Sequence, residues 1–268
     1  MAGHVRPSWY LDPLVARQKR ELHLKLFREW MPAGAGRALK TDVFEEAFGG
    51  DALLEDLAPL SETWIAMDVA ARTVCEARAR VGLGTARYLV CDVRRLPLRS
   101  ESLDAVVSNS TLDHFTTRRE FEAAIAELAR VLKPGGRLLI TVDNRYNVLY
   151  FPLLWLSKMR PFPFALGYTP TPAGLRKTLE RAGLQVTATS SLIHNPRVLS
   201  TALFLALRRI RGARAEGIIQ WLLEAFARLE RWPTRQFTAC FVGACARRPE
   251  AGAIGEGSGS EPEMRSTS

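Results

Sequence analysis

The chain has 268 residues, 47% of them hydrophobic and 24% charged, with a formal net charge of +9. That is enough apolar material for a substantial core, which excludes disorder throughout, and the longest apolar runs, 148–156 and 202–207, are too short to span a bilayer. The cations are 31 Arg and 6 Lys, dispersed in pairs such as Arg94-Arg95 and Arg247-Arg248. This reads as a solvated surface, so no nucleic-acid partner is expected.

A helix is predicted over 12–31, where Asp12 can cap, Pro13 suits the first turn, and Leu22, Leu26 and Trp30 recur at one-turn spacing. Pro32 to Gly36 breaks it. Short apolar strands follow at 37–41, 64–67, 87–90, 103–108 and 137–142, separated by helical segments at 45–57, 70–81 and 118–132. Alternation of this kind indicates a doubly wound α/β sheet with crossover helices. The stretch 146–168, rich in Pro, Phe, Trp and Leu, is too irregular for one helix and reads as a lid or pocket wall, with core packing as the alternative. A helix at 172–182, a strand at 185–192, helices at 197–210 and 217–231 and a last strand at 236–246 complete the pattern. The chain thus divides into an N-terminal helical segment (1–36), an α/β domain (37–248) with inserts near 146–170 and 197–232, and a disordered tail (249–268) poor in core formers.

The start of the chain shows no basic, apolar and small-residue succession marking it for secretion, so a cytoplasmic address is expected. Cys75, Cys91, Cys240 and Cys245 stand singly, which argues against structural zinc or a disulfide framework, and no ligand cluster for a metal is visible. His4, His23 and His194 are isolated and read as surface or core residues.

Ligands of open α/β sheets bind beyond the carboxyl ends of the strands, near the point where strand order reverses. Four successive strand ends deliver an acid there: Asp42 with Glu45 and Glu46, then Asp68, then Asp92 beside Val93, then Asp113 beyond Asn109 and next to His114. A dinucleotide would need a glycine-rich phosphate turn, which is absent, and these acids would repel phosphate. An adenosyl ligand without phosphate and with cationic groups suits such an edge; S-adenosylmethionine is one. Asp68 is placed for ribose hydroxyls and Asp92 for an adenine amino group, each with helix capping as the competing reading.

The strings WIAMD (with Asp68), YLVCDVRRLPL (Asp92), LDAVVSNSTLDHF (Asn109, Asp113, His114) and RVLKPGGRLLIT together resemble class I S-adenosylmethionine-dependent methyltransferases of the small-molecule type. The resemblance implies a Rossmann-like sheet, mostly parallel with an antiparallel last strand, helices on both faces, and S-adenosylmethionine as methyl donor. It departs at the first motif, where Phe44, Glu46 and Phe48 replace glycines. In ALKTDVFEEAFG acids take over the glycine turn, with Glu46 expected to meet the methionyl ammonium directly.

Cofactor-binding candidates are therefore Asp42, Glu46, Asp68, Asp92, Val93 and Asn109. His114 is the candidate base, oriented by Asp113 or Asn109, with an ordinary packing role as its alternative; Asp143, Asn144 and Tyr146 are further candidates. Trp155, Phe162, Phe164 and Tyr168 point to a small hydrophobic, lipid-like acceptor, and Arg208, Arg209, Arg211 and Arg214 beside an apolar run are compatible with peripheral membrane contact. The competing reading is a non-catalytic methyltransferase-like scaffold or binding subunit. The oligomeric state stays open.

Overall fold

The computed structural model describes residues 12–157 and 167–250. The first helix, α1 (Pro13–Trp30), begins as its sequence dictates, with Asp12 accepting from the Leu14 N–H at 2.9 Å and Pro13 in the first turn. There follow β1 (Ala35–Thr41), α2 (Phe44–Phe48), α3 (Leu54–Leu57), β2 (Ser61–Asp68), α4 (Ala71–Val81), β3 (Ala86–Val90), β4 (Leu103–Asn109), α5 (Arg118–Val131) and β5 (Leu132–Asp143). The second half adds α6 (Tyr150–Ser157), α7 (Pro172–Arg181), β6 (Gln185–Leu192), α8 (Arg197–Arg211), α9 (Ala215–Ala227), α10 (Arg235–Thr238) and β7 (Phe241–Arg247).

The seven strands form one sheet in the order β3-β2-β1-β4-β5-β7-β6. β1 to β5 pair in parallel, while β7 is antiparallel to both β5 and β6. Alternate residues feed opposite faces, as the strand pleat requires: Leu39 and Val106 join a core with Phe121, Ile125 and Leu128 of α5 and Leu175 and Leu179 of α7. Ala38 and Val107 join another with Leu24, Phe27 and Trp30 of α1, Leu54 and Leu57 of α3, and Val74 and Ala77 of α4. On that face α1 lies so close over β7 that a β-carbon at Gly243 would sit 3.1 Å from Leu26 and Trp30. His23, one of the isolated histidines, is buried here between Phe27 and Phe241, with burial, then the Lys19 charge, lowering its pKa to about 4.

Three predicted elements differ most; the strand expected at 137–142 already begins at Leu132, which pairs with Leu103. The helix expected at 45–57 is two short helices, because Gly49 caps α2 in an extended conformation and Asp51 turns inward to an ion pair with Lys19. The last strand starts at Phe241 rather than 236, since 235–238 close a helical turn with Ala239 N–H donating to the Arg235 carbonyl. The predicted tail beyond 250, residues 158–166 of the predicted lid, and His4 lie outside the described residues.

Candidate functional site

Strand order reverses between β1 and β4, so the crevice beyond their carboxyl ends is where ligand chemistry is expected. Both strands leave the sheet through a non-glycine residue in the left-handed region, Asp42 at φ 61° and Ser110 at φ 50°. Such a conformation costs a β-carbon-bearing residue about 1–2 kcal/mol and persists only where the surroundings hold it.

At Asp42 the holding groups are explicit. Its own Oδ1 accepts from the Phe44 N–H at 2.8 Å, and its carbonyl accepts from Lys40 Nζ at 2.6 Å. The same ammonium donates to Glu46 Oε2 at 2.9 Å, while Glu46 Oε1 accepts from the N–H groups of Leu53 and Leu54, each at 3.1 Å. Glu46 is completely buried. Its expected contact with a ligand ammonium is therefore corrected: the carboxylate is consumed beneath the turn by a buried lysine and by the start of α3. The Phe44 and Phe48 rings of α2 meet at 5.2 Å, tilted by 57°, with the Arg72 guanidinium 6.0 Å from the Phe48 ring.

Asp68, ending β2, is half-buried and stands next to that turn. Its Oδ1 accepts from the Ala70 N–H at 2.8 Å in a local turn ahead of α4, whose N-cap, Ala70, has no side-chain cap bond; the competing helix-capping role is not formed and the carboxylate stays at the edge. Burial raises its pKa, opposed by the Ala70 N–H and supported by the nearby Asp42 charge. Beside it Val69 is 71% exposed, an apolar side chain standing open at the sheet edge and fit to receive a flat ring. Composition did not single it out; the signal available was an apolar residue directly after a strand-ending acid.

Asp92 behaves differently from expectation. Both its oxygens accept from Arg94, at 2.6 to 3.0 Å, and Oδ1 also takes the Arg94 N–H. Arg94 first of all holds the Asp92 carboxyl below its usual range. Arg94 continues to Glu120 at 2.8 Å and covers the Phe115 ring at 5.2 Å. This half-exposed network occupies the place read as an adenine contact, and the Val93 side chain is in the core, leaving only its backbone at the edge.

On the β4 side Asn109 Oδ1 accepts from Thr141 at 2.7 Å, so among the described residues its amide N–H groups are the end without a partner. Thr111 and Thr41 hydroxyls meet at 2.9 Å and tie the two central turns together. The expected Asp113–His114 pairing is not formed. Asp113 is buried, with Oδ2 accepting from the Asp143 N–H at 3.3 Å, whereas His114 is exposed on the same short helical turn and no hydrogen bond joins the two. Asn144, another candidate, is buried and donates to the carbonyls of Gln236 and Ala239, a structural role. The chain returns to this corner at Gly167, where a β-carbon would stand 2.1 Å from the Asp113 carbonyl oxygen, so only glycine permits the approach.

The Lys40 ammonium is engaged by Glu46, and Asp42 and Asp68 lie close enough that the charge of the first raises the pKa of the second, an acidic pair that favours a cationic ligand. A half-buried acid for hydroxyl donors, an open apolar residue beside it and amide donors from Asn109 across the crevice fit an adenosyl group carrying an amino acid. No cluster of three or more His, Cys, Asp or Glu suited to a metal exists among the described residues.

A family model described as a methyltransferase domain matches residues 45–140, starting just past the Asp42 turn. A probable S-adenosylmethionine-dependent methyltransferase of Mycolicibacterium smegmatis is 29% identical over 162 residues, 60% of this chain and 58% of that protein. A probable tRNA methyltransferase 9B of Homo sapiens is 48% identical over 54 residues, 20% of this chain; the match spans only 12% of that protein's length. Among solved structures, the [4+2]-cyclase SpnF aligns with TM-score 0.58 at 19% identity, covering 93% of this chain and 86% of that one. The N-methyltransferase NodS of Bradyrhizobium japonicum, bound to S-adenosyl-l-homocysteine, aligns with TM-score 0.54 at 17% identity over 86% and 87%. At these identities the structural matches speak for the fold alone.

Proposed function

We propose that the chain is a class I S-adenosylmethionine-dependent methyltransferase, supported by the methyltransferase-domain match over residues 45–140 and the Mycolicibacterium smegmatis relative, and that it transfers the methyl group of S-adenosylmethionine to a small hydrophobic acceptor in the crevice between β1 and β4. The carrying observation is the convergence of two acids from adjacent strand ends, Asp42 and Asp68, on a crevice flanked by left-handed turns at Asp42 and Ser110. Asp68 holds the ribose hydroxyls, Val69 packs against the base and Asp42 faces the amino-acid ammonium. The sulfonium supplies an already activated methyl carbon. As the acceptor bonds to it, the carbon–sulfur bond breaks and the thioether leaves.

The protein's contribution is then alignment, worth several powers of ten, and removal of a proton where the acceptor carries one. His114, exposed at the end of the β4 turn, is the group available for that proton, without help from Asp113. The acceptor side is apolar: Tyr146, Val148, Phe151 and Trp155, directly after β5 at the same edge, are 40 to 66% exposed. That lining favours a hydrophobic molecule. The likeness to a tRNA methyltransferase supports a second reading, with RNA as acceptor.

The two readings separate in one assay. The full chain is incubated with methyl-labelled S-adenosylmethionine and a cell extract, and label is followed into organic-solvent-soluble and RNA fractions. Label in the organic phase, reduced about tenfold or more in His114→Ala with donor binding intact, is the expected result. Label confined to RNA selects the second reading. No transfer and no donor binding by folded protein leaves a methyltransferase-like scaffold.

A further inference from the structure

The inserts between β5 and β7 carry most of the large hydrophobic side chains that stand exposed among the described residues. Of the described tryptophans, Trp30 and Trp64 are buried, while Trp155, Trp221 and Trp232 are 64%, 62% and 59% exposed. All three exposed ones lie in the inserts. The two inserts meet on this surface: the Tyr146 and Phe237 rings lie 6.2 Å apart, tilted by 37°, and Val148 N–H donates to the Phe237 carbonyl at 3.0 Å. Arg235 N–H in turn donates to the Trp232 carbonyl, and that of Trp232 to the Leu229 carbonyl.

The helix faces sort cleanly. In α8 and α9, Phe204, Ala215, Ile219 and Leu223 pack with Val15 of α1. On the sides away from α1, Leu203, Ile210, Ile218 and Trp221 are exposed, Ile210 to 76%. Ile218, Trp221 and Arg228 follow one another at i, i+3 and i+10, one stripe of the helix.

Charge accompanies this apolar surface. Residues 196–240 contain eight Arg and three Glu, with no Lys or Asp. Arg208 is engaged by Asp12 and Glu216, but Arg209, Arg214, Arg228, Arg231 and Arg235 are exposed without an acidic partner among the described residues. Interleaved Trp and Arg match the headgroup region of a bilayer, where indole rings sit at the interface and guanidinium groups meet phosphates. RNA would use the arginines and aromatic rings, yet gain nothing from the aliphatic side chains of Ile210, Ile218, Leu203 and Val148, which acyl chains accommodate. No helix among the described residues is long and apolar enough to cross a membrane, so the contact is with the surface.

We propose that α8, α9, α10 and the α6 entrance form a docking face for an anionic lipid bilayer. The face adjoins the carboxyl edge of the sheet, because β5 and β6 end there and β7 begins there. A docked molecule would thus turn its crevice toward the membrane and take a hydrophobic acceptor without its crossing water. The docking itself does not depend on the methyl-transfer reading, since vesicle binding is measured without donor and donor binding without vesicles.

The test is flotation of the full chain with vesicles of phosphatidylcholine or of an equal mixture of phosphatidylcholine and phosphatidylglycerol, with Trp fluorescence followed in parallel. Binding to the anionic vesicles only, weakening as salt rises, with a blue shift of the emission, is expected. Ile218→Ser with Trp221→Ser, both on the exposed stripe, should weaken that binding about tenfold or more while leaving S-adenosylhomocysteine binding unchanged, which also certifies folding. Arg228→Glu with Arg231→Glu should weaken it and flatten the salt dependence. The proposal is overturned if the parent floats with neither vesicle, if the Ile218/Trp221 variant binds like the parent, or if the face binds tRNA and ignores vesicles.

Discussion

The turns after β1 and β4 solve one geometric problem with different chemistry. Both bend the chain away from the sheet through a left-handed residue that is not glycine, at the point where strand order reverses. The Asp42 turn is held from below by a buried charge pair, Lys40 with Glu46, and from within by the Asp42 carboxylate. The Ser110 turn is held by backbone, with Ser110 N–H donating to the Thr141 carbonyl at 2.9 Å, while its buried hydroxyl oxygen has no hydrogen-bond partner among the described residues. A glycine turn gives close approach through the absence of a side chain. The Asp42 turn instead keeps its side chain, fixes it, and places a carboxylate at the crevice where a cationic ligand would sit.

This contrast is breakable. Lys40→Met leaves the Glu46 charge buried without its cation, and should cost about 3–5 kcal/mol of stability in urea unfolding; a loss under about 1 kcal/mol would mean the pair does not hold the turn. Next in size is a pH effect on the same face of the sheet. His23 protonates near pH 6.5 when unfolded but only near 4 when buried, so its folded pKa is lowered. Stability is intact above about pH 6.5 and is lost as pH falls toward 4, by about 2 kcal/mol at about pH 5. Unfolding of the parent and of His23→Leu at about pH 7 and about pH 5 checks this: the parent should lose about 2 kcal/mol more than the variant. The smallest expected effect sharpens the comparison from the other side. Ser110→Gly removes a strained side chain whose hydroxyl is unpaired, and should stabilise by up to about 1 kcal/mol. Asp42→Gly should gain no comparable stability, since it also deletes the bond to Phe44.

The sheet was readable because its signals are local. Short apolar strands separated by helices, with Asp12-Pro13 opening α1, need no tertiary information. The positions of the strand ends were equally legible, and with them Asp42, Asp68 and Asn109 at the edge. What each acid does was less so, because it depends on which side of a turn faces the core. Glu46 and Asp42 lie four residues apart in one acidic string, yet one is sealed under α3 and the other reaches the crevice. Asp92 carries an arginine two residues on, and only the folded loop shows that guanidinium turned back onto both carboxylate oxygens. Neighbours in sequence can also part: Asp113 faces β5 while His114 faces outward.

The central claim, that the Asp42 turn replaces a glycine turn without loss of the donor site, is tested most directly by calorimetric titration of the full chain with S-adenosylhomocysteine, alongside Asp68→Ala. The account predicts saturable micromolar binding by the parent, weakened about tenfold or more in the variant. Folded parent protein that takes up no ligand, or an Asp68→Ala variant that binds as tightly as the parent, would contradict it.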